Sequence, residues 1–306
     1  MLIFLARRIL QSIPVLFGVS IVVFSMTHLI PGDTASVIAG LGASSEDIEN
    51  VRRALRLDQP IYVQYGAFLA DVFSGDFGTS FRTGRPVVDE ILPRFVNTLA
   101  LSAVALAVAI LIGVATGIIS AVKKNTVWDN AALVLSLVGI SLPSFFLGLM
   151  LMLVFAVQLG MLPLSGNATL AHYVLPAVTL GTASAAVISR IMRSSLLEVV
   201  NQDYIRTARA KGLGETRVIG RHAVQNSLIP VVTVVGLQLG YLLGGAVVVE
   251  TVFAWPGLGR LLVQSITARD FPVVQAAVLL IAVSFVTINL LTDLLYGVLD
   301  PRIRSS

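Results

Sequence analysis

LALSAVALAVAILIGVATGIISAV, residues 99–122, carries no charged side chain. At 1.5 Å per helical residue, about 20 apolar residues cross a hydrocarbon layer ~30 Å thick, so this segment is long enough to span it. Five more segments meet the same requirement: 9–30, 131–158, 174–192, 231–249 and 275–297. The whole chain agrees with them. Of its 306 residues 56% are hydrophobic and only 12% charged, and 21 Lys+Arg with 17 Asp+Glu cannot coat a water-soluble globule of this size. A soluble globule is therefore excluded, and six transmembrane helices are expected.

Arg7 and Arg8 before the first span resemble a secretory signal, but the apolar run exceeds a signal's 7–15 residues, so a retained anchor is expected. The third span is long enough to tilt, and Ser141 with Pro143 predicts a local bend in it. Gly113, Gly117 and the Gly236 to Ala246 run supply the small residues that let helices pack closely and move as rigid bodies.

The charges set orientation. With the amino terminus inside, segments 1–8, 123–130, 193–229 and 298–306 hold twelve Lys/Arg, whereas the short outer loops 159–172 and 250–274 hold only Arg260 and Arg269. Both termini are thus expected on the cytoplasmic side. In the long outer loop, Ser44 with Asp47 predicts a capped helix. Ile48, Val51 and Leu55 share one face of it, and Asp58-Gln59-Pro60 ends it. Its expected role is a cap over the outer end of the bundle. Asp71, Asp76, Asp89 and Glu90 in the same loop are expected to face solvent rather than a ligand path.

The inner segment 193–229 is the other informative connection. It contains Asp203, Tyr204, Ile205, Arg206, Thr207, Ala208, Arg209, Ala210, Lys211, Gly212 and Leu213, followed by a basic helical stretch to Asn226 and Pro230. Small residues and a glycine turn between two short helices suit a docking element. Positive charge lying against anionic headgroups explains the same composition equally well.

Several chemistries are missing from the sequence. There is no cysteine, no GxxxxGK[ST] loop and no HExxH, and His28, His172 and His222 are scattered, so neither a metal site nor a cofactor is expected. Gly139-Ile140-Ser141-Leu142 lacks the second glycine of a nucleophile elbow. Ionisable groups within the spans are few: Asp293, Arg190 and Glu250. Asp293 is expected to pair with Arg302 or Arg304 rather than carry ions.

An ordered set of motifs runs the length of the chain: Pro31-Gly32-Asp33, Leu57-Asp58-Gln59-Pro60, Gly75-Asp76-Phe77-Gly78-Thr79-Ser80, Asp203 to Gly212, Asn226 to Pro230, Trp255-Pro256-Gly257-Leu258-Gly259-Arg260 and Arg269-Asp270-Phe271-Pro272-Val273-Val274-Gln275. This set resembles the first-permease subunit of dipeptide/oligopeptide ABC importers, a group that includes glutathione and nickel systems. The resemblance implies an all-α type I ABC importer permease fold in a bacterial or archaeal cytoplasmic membrane. It divides the chain into a first helix at 1–30, an extracytoplasmic loop at 31–94, a transmembrane type-1 domain at 95–297 and a tail at 298–306.

It further implies a second homologous permease, two cytoplasmic ATPases that perform the hydrolysis, an extracytoplasmic binding protein, and import of a peptide-like solute by alternating access. Nucleic acid is not an expected partner, and this subunit is not expected to be an enzyme. Residues 203–213 would form the coupling helix of the EAA loop, with Gly212 as the loop glycine and Arg206-Thr207-Ala208 where Glu-Ala-Ala would stand. The interval from Gly212 to Pro230 is longer than in maltose-type relatives, a feature shared with peptide-type ones. The resemblance leaves the substrate-binding residues unassigned. A self-sufficient ion-coupled carrier is the alternative.

Overall fold

The computed structural model describes residues 2–29, 33–40 and 42–299. Among them the order is α1 Leu2–His28, α2 Thr34–Ala39, α3 Ser45–Ala54, α4 Ile61–Ser74, α5 Val87–Val122, α6 Val127–Ser141, α7 Ser144–Leu151, α8 Ala171–Val200, α9 Asp203–Ala210, α10 Glu215–Arg217, α11 Val224–Val252, α12 Leu258–Thr267 and α13 Phe271–Leu299. Two π-helical segments, Met152–Gln158 and Val218–Ala223, extend α7 and join α10 to α11.

Among the described residues, five helices are long and apolar enough to cross a membrane: Arg7–His28, Val87–Val122, Ala171–Val200, Glu215–Val252 and Phe271–Leu294. The expected third span differs from its prediction. It is broken into Val127–Ser141 and Ser144–Gln158, bent by 108°. The break is sharper than a local bend because Leu142 (ψ 126°) and Pro143 (ψ 134°) are both extended. Proline removes an amide donor and drives the preceding residue out of the α region.

The chain divides into two compact units. In the first, residues 98–256 with 287–299, α8 is the central element. Its buried face, from Leu175 through Ile188 to Leu196, meets α5, α6 and α11. Glycines permit the approach of α5 to α8. A Cβ built on Gly113 would sit 2.7 Å from the Ala185 carbonyl, one on Gly117 2.7 Å from the Ser189 carbonyl, and one on Gly181 2.6 Å from the Ala105 carbonyl. The small-residue reading of Gly113 and Gly117 is thus realised as direct backbone packing.

In the second unit, residues 2–97 with 257–286, Val87, Ile91, Leu258, Leu261, Val273 and Ala277 form the core. The expected capped helix is α3. Ser44 Oγ accepts from the Asp47 amide, and Asp47 Oδ2 accepts from the Ser44 amide at 3.0 Å. Two more helices flank it. The longer, α4, packs on α1 through Phe24, Tyr65 and Phe68. Asp270 closes this unit by accepting from Ser80 Oγ (2.5 Å) and the Phe81 amide (3.1 Å), which joins two of the quoted motifs. Pro31, Gly32, Arg302 and Arg304 lie outside the described residues, and with them the expected pairing of Asp293.

Candidate coupling site

Helix α8 continues to Val200, so the first eight residues of the presumed inner loop are helical. Asn201 and Gln202 turn the chain, and α9 follows. Its apolar residues recur one turn apart: Ile205 and Ala208 are buried against Leu196, Met192, Val218 and Ala223, with Leu213 packed on the same cluster. The other eight predicted residues, Asp203, Tyr204, Arg206, Thr207, Arg209, Ala210, Lys211 and Gly212, are exposed. The segment therefore has an anchoring face and an open face.

Its end is fixed by a left-handed glycine. Gly212 lies at φ +79°, its amide donates to the Arg209 carbonyl at 2.9 Å, and the Leu213 amide reaches the Ala208 carbonyl at 3.4 Å. This paired 5→2 and 6→1 arrangement is a Schellman cap, and its conformation favours a residue without a Cβ. Arg209 then grips Glu215 through Nε (3.1 Å) and Nη2 (2.7 Å), clamping α9 to α10. That hydrogen-bonded carboxylate holds the guanidinium pKa above its ordinary value.

Asn226, at the head of another motif, donates from Nδ2 to Tyr204 Oη at 3.0 Å and so ties α9 to α11. Arg206 stands 3.5 Å from Asp203, whereas Lys211, Arg217 and Arg221 make no ion pair among the described residues. The open face is accordingly basic.

Asp129, which the sequence reading did not single out, braces the base of this segment. It is 1% exposed. It accepts from Arg193 Nε (2.8 Å) and Nη2 (2.9 Å), Ser120 Oγ (2.5 Å) and the Asn125 amide (2.9 Å). One carboxylate thus unites the end of α5, the α5–α6 turn, α6 and α8 ten residues before α9. The available signal was Thr126-x-x-Asp129, a capping-box pattern at a helix start. Here the acid takes a partner from a distant helix, and the Thr126 hydroxyl donates to the Lys123 carbonyl instead.

Apolar helices long enough to cross a membrane, joined by a braced, basic helical connection, are those of an integral membrane protein. Residues 109–305 match the family described as binding-protein-dependent transport system inner membrane component, and residues 1–102 match its N-terminal component. The glutathione transport system permease protein GsiC of Escherichia coli K12 is 49% identical over 304 residues, covering 99% of both chains, and GsiC of Shigella dysenteriae serotype 1 is equally similar.

Two solved structures share the fold. A crystal structure of an amino acid ABC transporter aligns with a TM-score of 0.54 at 17% identity, covering 75% of this chain and 97% of that one. The inward-facing MetNI methionine ABC transporter aligns at 0.56 and 20%, covering 69% and 96%. The chain belongs to the binding-protein-dependent transport system inner membrane component family: it is an ABC importer permease subunit with a type I fold.

Proposed function

We propose that this chain is the non-catalytic half of a translocation path whose energy is supplied by partner ATPases docking on the open face of α9. The supporting observation is the division of residues 203–213. Ile205, Ala208 and Leu213 anchor the segment in the chain's own core, while Arg206, Thr207 and Lys211 stand clear. A helix so anchored transmits a push without detaching. ATP binding by the partners shifts the permease only if they bind one arrangement better than the other.

Both termini are cytoplasmic on this reading, and the positive segments lie inside. Residues 31–94 face outward to a binding protein, residues 95–297 form the transport domain, and a second homologous permease completes the path. The cargo is a peptide-like solute, supported by the 49%-identical relatives named for glutathione transport.

The test uses the complete importer in vesicles. Thr207→Trp, on the open face, is expected to keep the melting temperature while ATPase retention and ATP-driven uptake fall about tenfold, a loss of ~1.4 kcal/mol in docking. Ala208→Trp is expected to lower the melting temperature itself by overpacking the core. Normal uptake by both Thr207→Trp and Arg206→Glu would sink the docking reading.

A further inference from the structure

Two of the motifs that α9 leaves unexplained meet in the second unit. They help to line a cavity of about 280 Å³, just under the ~300–1,000 Å³ typical of ligand pockets. Asp76 to Thr79, Pro272 and Gln275 contribute to its wall, as do Thr27 and His28 from α1. The Ser80–Asp270 clamp holds two of these segments together. His28 Nε2 and Gln64 Oε1 are 2.9 Å apart, and Gln64 Nε2 donates to the Gln59 carbonyl at 2.7 Å, so a third motif fixes the same wall.

The chemistry inside is two-signed. Arg56 Nη1 lies 3.0 Å from Asp71 Oδ2, with 40% and 43% of the two side chains exposed. Asp76 supplies a second exposed carboxylate. Phe24, Phe68, Phe77 and Phe81 offer apolar surface beside them. An open ion pair of this kind contributes little to stability. A ligand carrying both charges can therefore separate it at small cost.

The positions of these charges are set by two helix ends. Gly75, at φ +78°, closes α4 with Gly75 N–H to Val72 O and Asp76 N–H to Asp71 O, which brings Asp71 and Asp76 together. Arg56 closes α3 in the same way, with Arg56 N–H to Arg53 O and Leu57 N–H to Arg52 O, yet at φ +54°. A glycine would take that conformation without strain. The strain is retained at the one residue that brings a guanidinium into the cavity.

We propose that this cavity is an acceptor site for a zwitterionic solute of di- or tripeptide size. The solute carboxylate sits on Arg56, its ammonium on Asp71 and Asp76, and an apolar side chain on the phenylalanines. The proposal rests on the permease reading above and adds to it a place where the solute is met. It departs from the expectation that Asp71 and Asp76 merely face solvent.

The test is saturation-transfer NMR on the complete chain in nanodiscs, with alanyl-phenylalanine as probe and its N-acetylated, C-amidated form as control. Contact is expected with the free dipeptide and not with the blocked one. The charge swap Arg56→Asp/Asp71→Arg keeps an ion pair and places aspartate, which tolerates positive φ, at position 56. It is expected to keep the melting temperature and weaken binding about tenfold or more, because the two charges then face the wrong ends of the ligand.

Arg56→Gly is expected to fold at least as stably as the parent while losing the dipeptide. Equal binding by the swap, equal binding by the blocked dipeptide, or no contact by the parent chain at millimolar probe would overturn the proposal. So would a swap that releases the binding protein and leaves dipeptide contact unchanged, since the cavity would then hold a protein side chain. ATP-driven uptake by the assembled importer, measured on the same preparation, separates the two readings: uptake without cavity contact overturns the site and leaves the permease standing.

Discussion

Asp129 shows how much one side chain can decide. Its two oxygens are buried and satisfied by Arg193, Ser120 and the Asn125 amide. Such a pair adds little over an apolar replacement of equal volume, but removing one member strands a charge. Arg193→Ala is therefore expected to destabilise by about 3 kcal/mol, at the low end for buried pairs because Arg193 keeps 23% of its side chain exposed. A double variant, Asp129→Leu/Arg193→Met, should recover part of that loss. Thermal melts of the parent, Asp129→Leu, Arg193→Met and the double variant give the coupling, and additive losses would show that the pair acts as two independent groups. Gly212 poses a smaller question of the same kind. A Cβ there meets no atom within 4 Å. Gly212→Ala should thus cost about 1 kcal/mol through φ alone, and Gly212→Asn less, read as faster hydrogen exchange at the Leu213 amide.

Helices report a different balance, between what a segment prefers alone and what its neighbours permit. Where α5 meets α8, backbone packs on backbone, so Gly117→Val must push against the Ser189 carbonyl and Met192. A loss of about 1–3 kcal/mol is expected from overpacking, and a melting temperature equal to the parent's would contradict that geometry. Helix α3 depends on its cap instead. The Ser44 hydroxyl, and then its amide, hold the Asp47 pKa below the ordinary value. A lowered carboxylate contributes stability that is complete above the unfolded pKa of about 3.9 and is lost as pH falls through the folded value. The amides of Ile48 and Val51 should therefore lose exchange protection below about pH 4, beyond the change in intrinsic rate, and Asp47→Asn should abolish that pH dependence. The apolar spans and the α3 cap were legible because length and a four-residue pattern carry them. Helix α4 escaped notice although Pro60 before it and Gly75 after it are ordinary start and stop signals. It is too short for a span and too apolar for a loop, so neither length nor polarity marks it. The 108° break was under-read for another reason: proline predicts an interruption but not its angle. Asp129 was hidden because its partner lies 64 residues away.

In the complete chain, the division of labour can be argued from what is absent as well as what is present in the sequence. No phosphate loop occurs among the 306 residues, and the few ionisable groups in the spans are committed to structure where their contacts are given, as with Glu250, which accepts from Thr98 at 2.5 Å. A carrier driven by its own ion gradient needs a site that gains and loses an ion during transport, and such sites are built from intramembrane charges. A permease needs only two arrangements and a partner that binds them unequally. This difference yields an expected result with vesicles containing the purified chain, given a peptide-like solute and an imposed proton or sodium gradient. No accumulation should occur. Adding the proposed partners, a second permease, two ATPases and a binding protein, together with ATP should start uptake, and a non-hydrolysable nucleotide should stop it after one closure. On the proposed docking reading, Arg206→Glu should reduce uptake without altering solute binding by the separate binding protein. Accumulation by the chain alone under an ion gradient would show that the driving force enters through the spans rather than through α9.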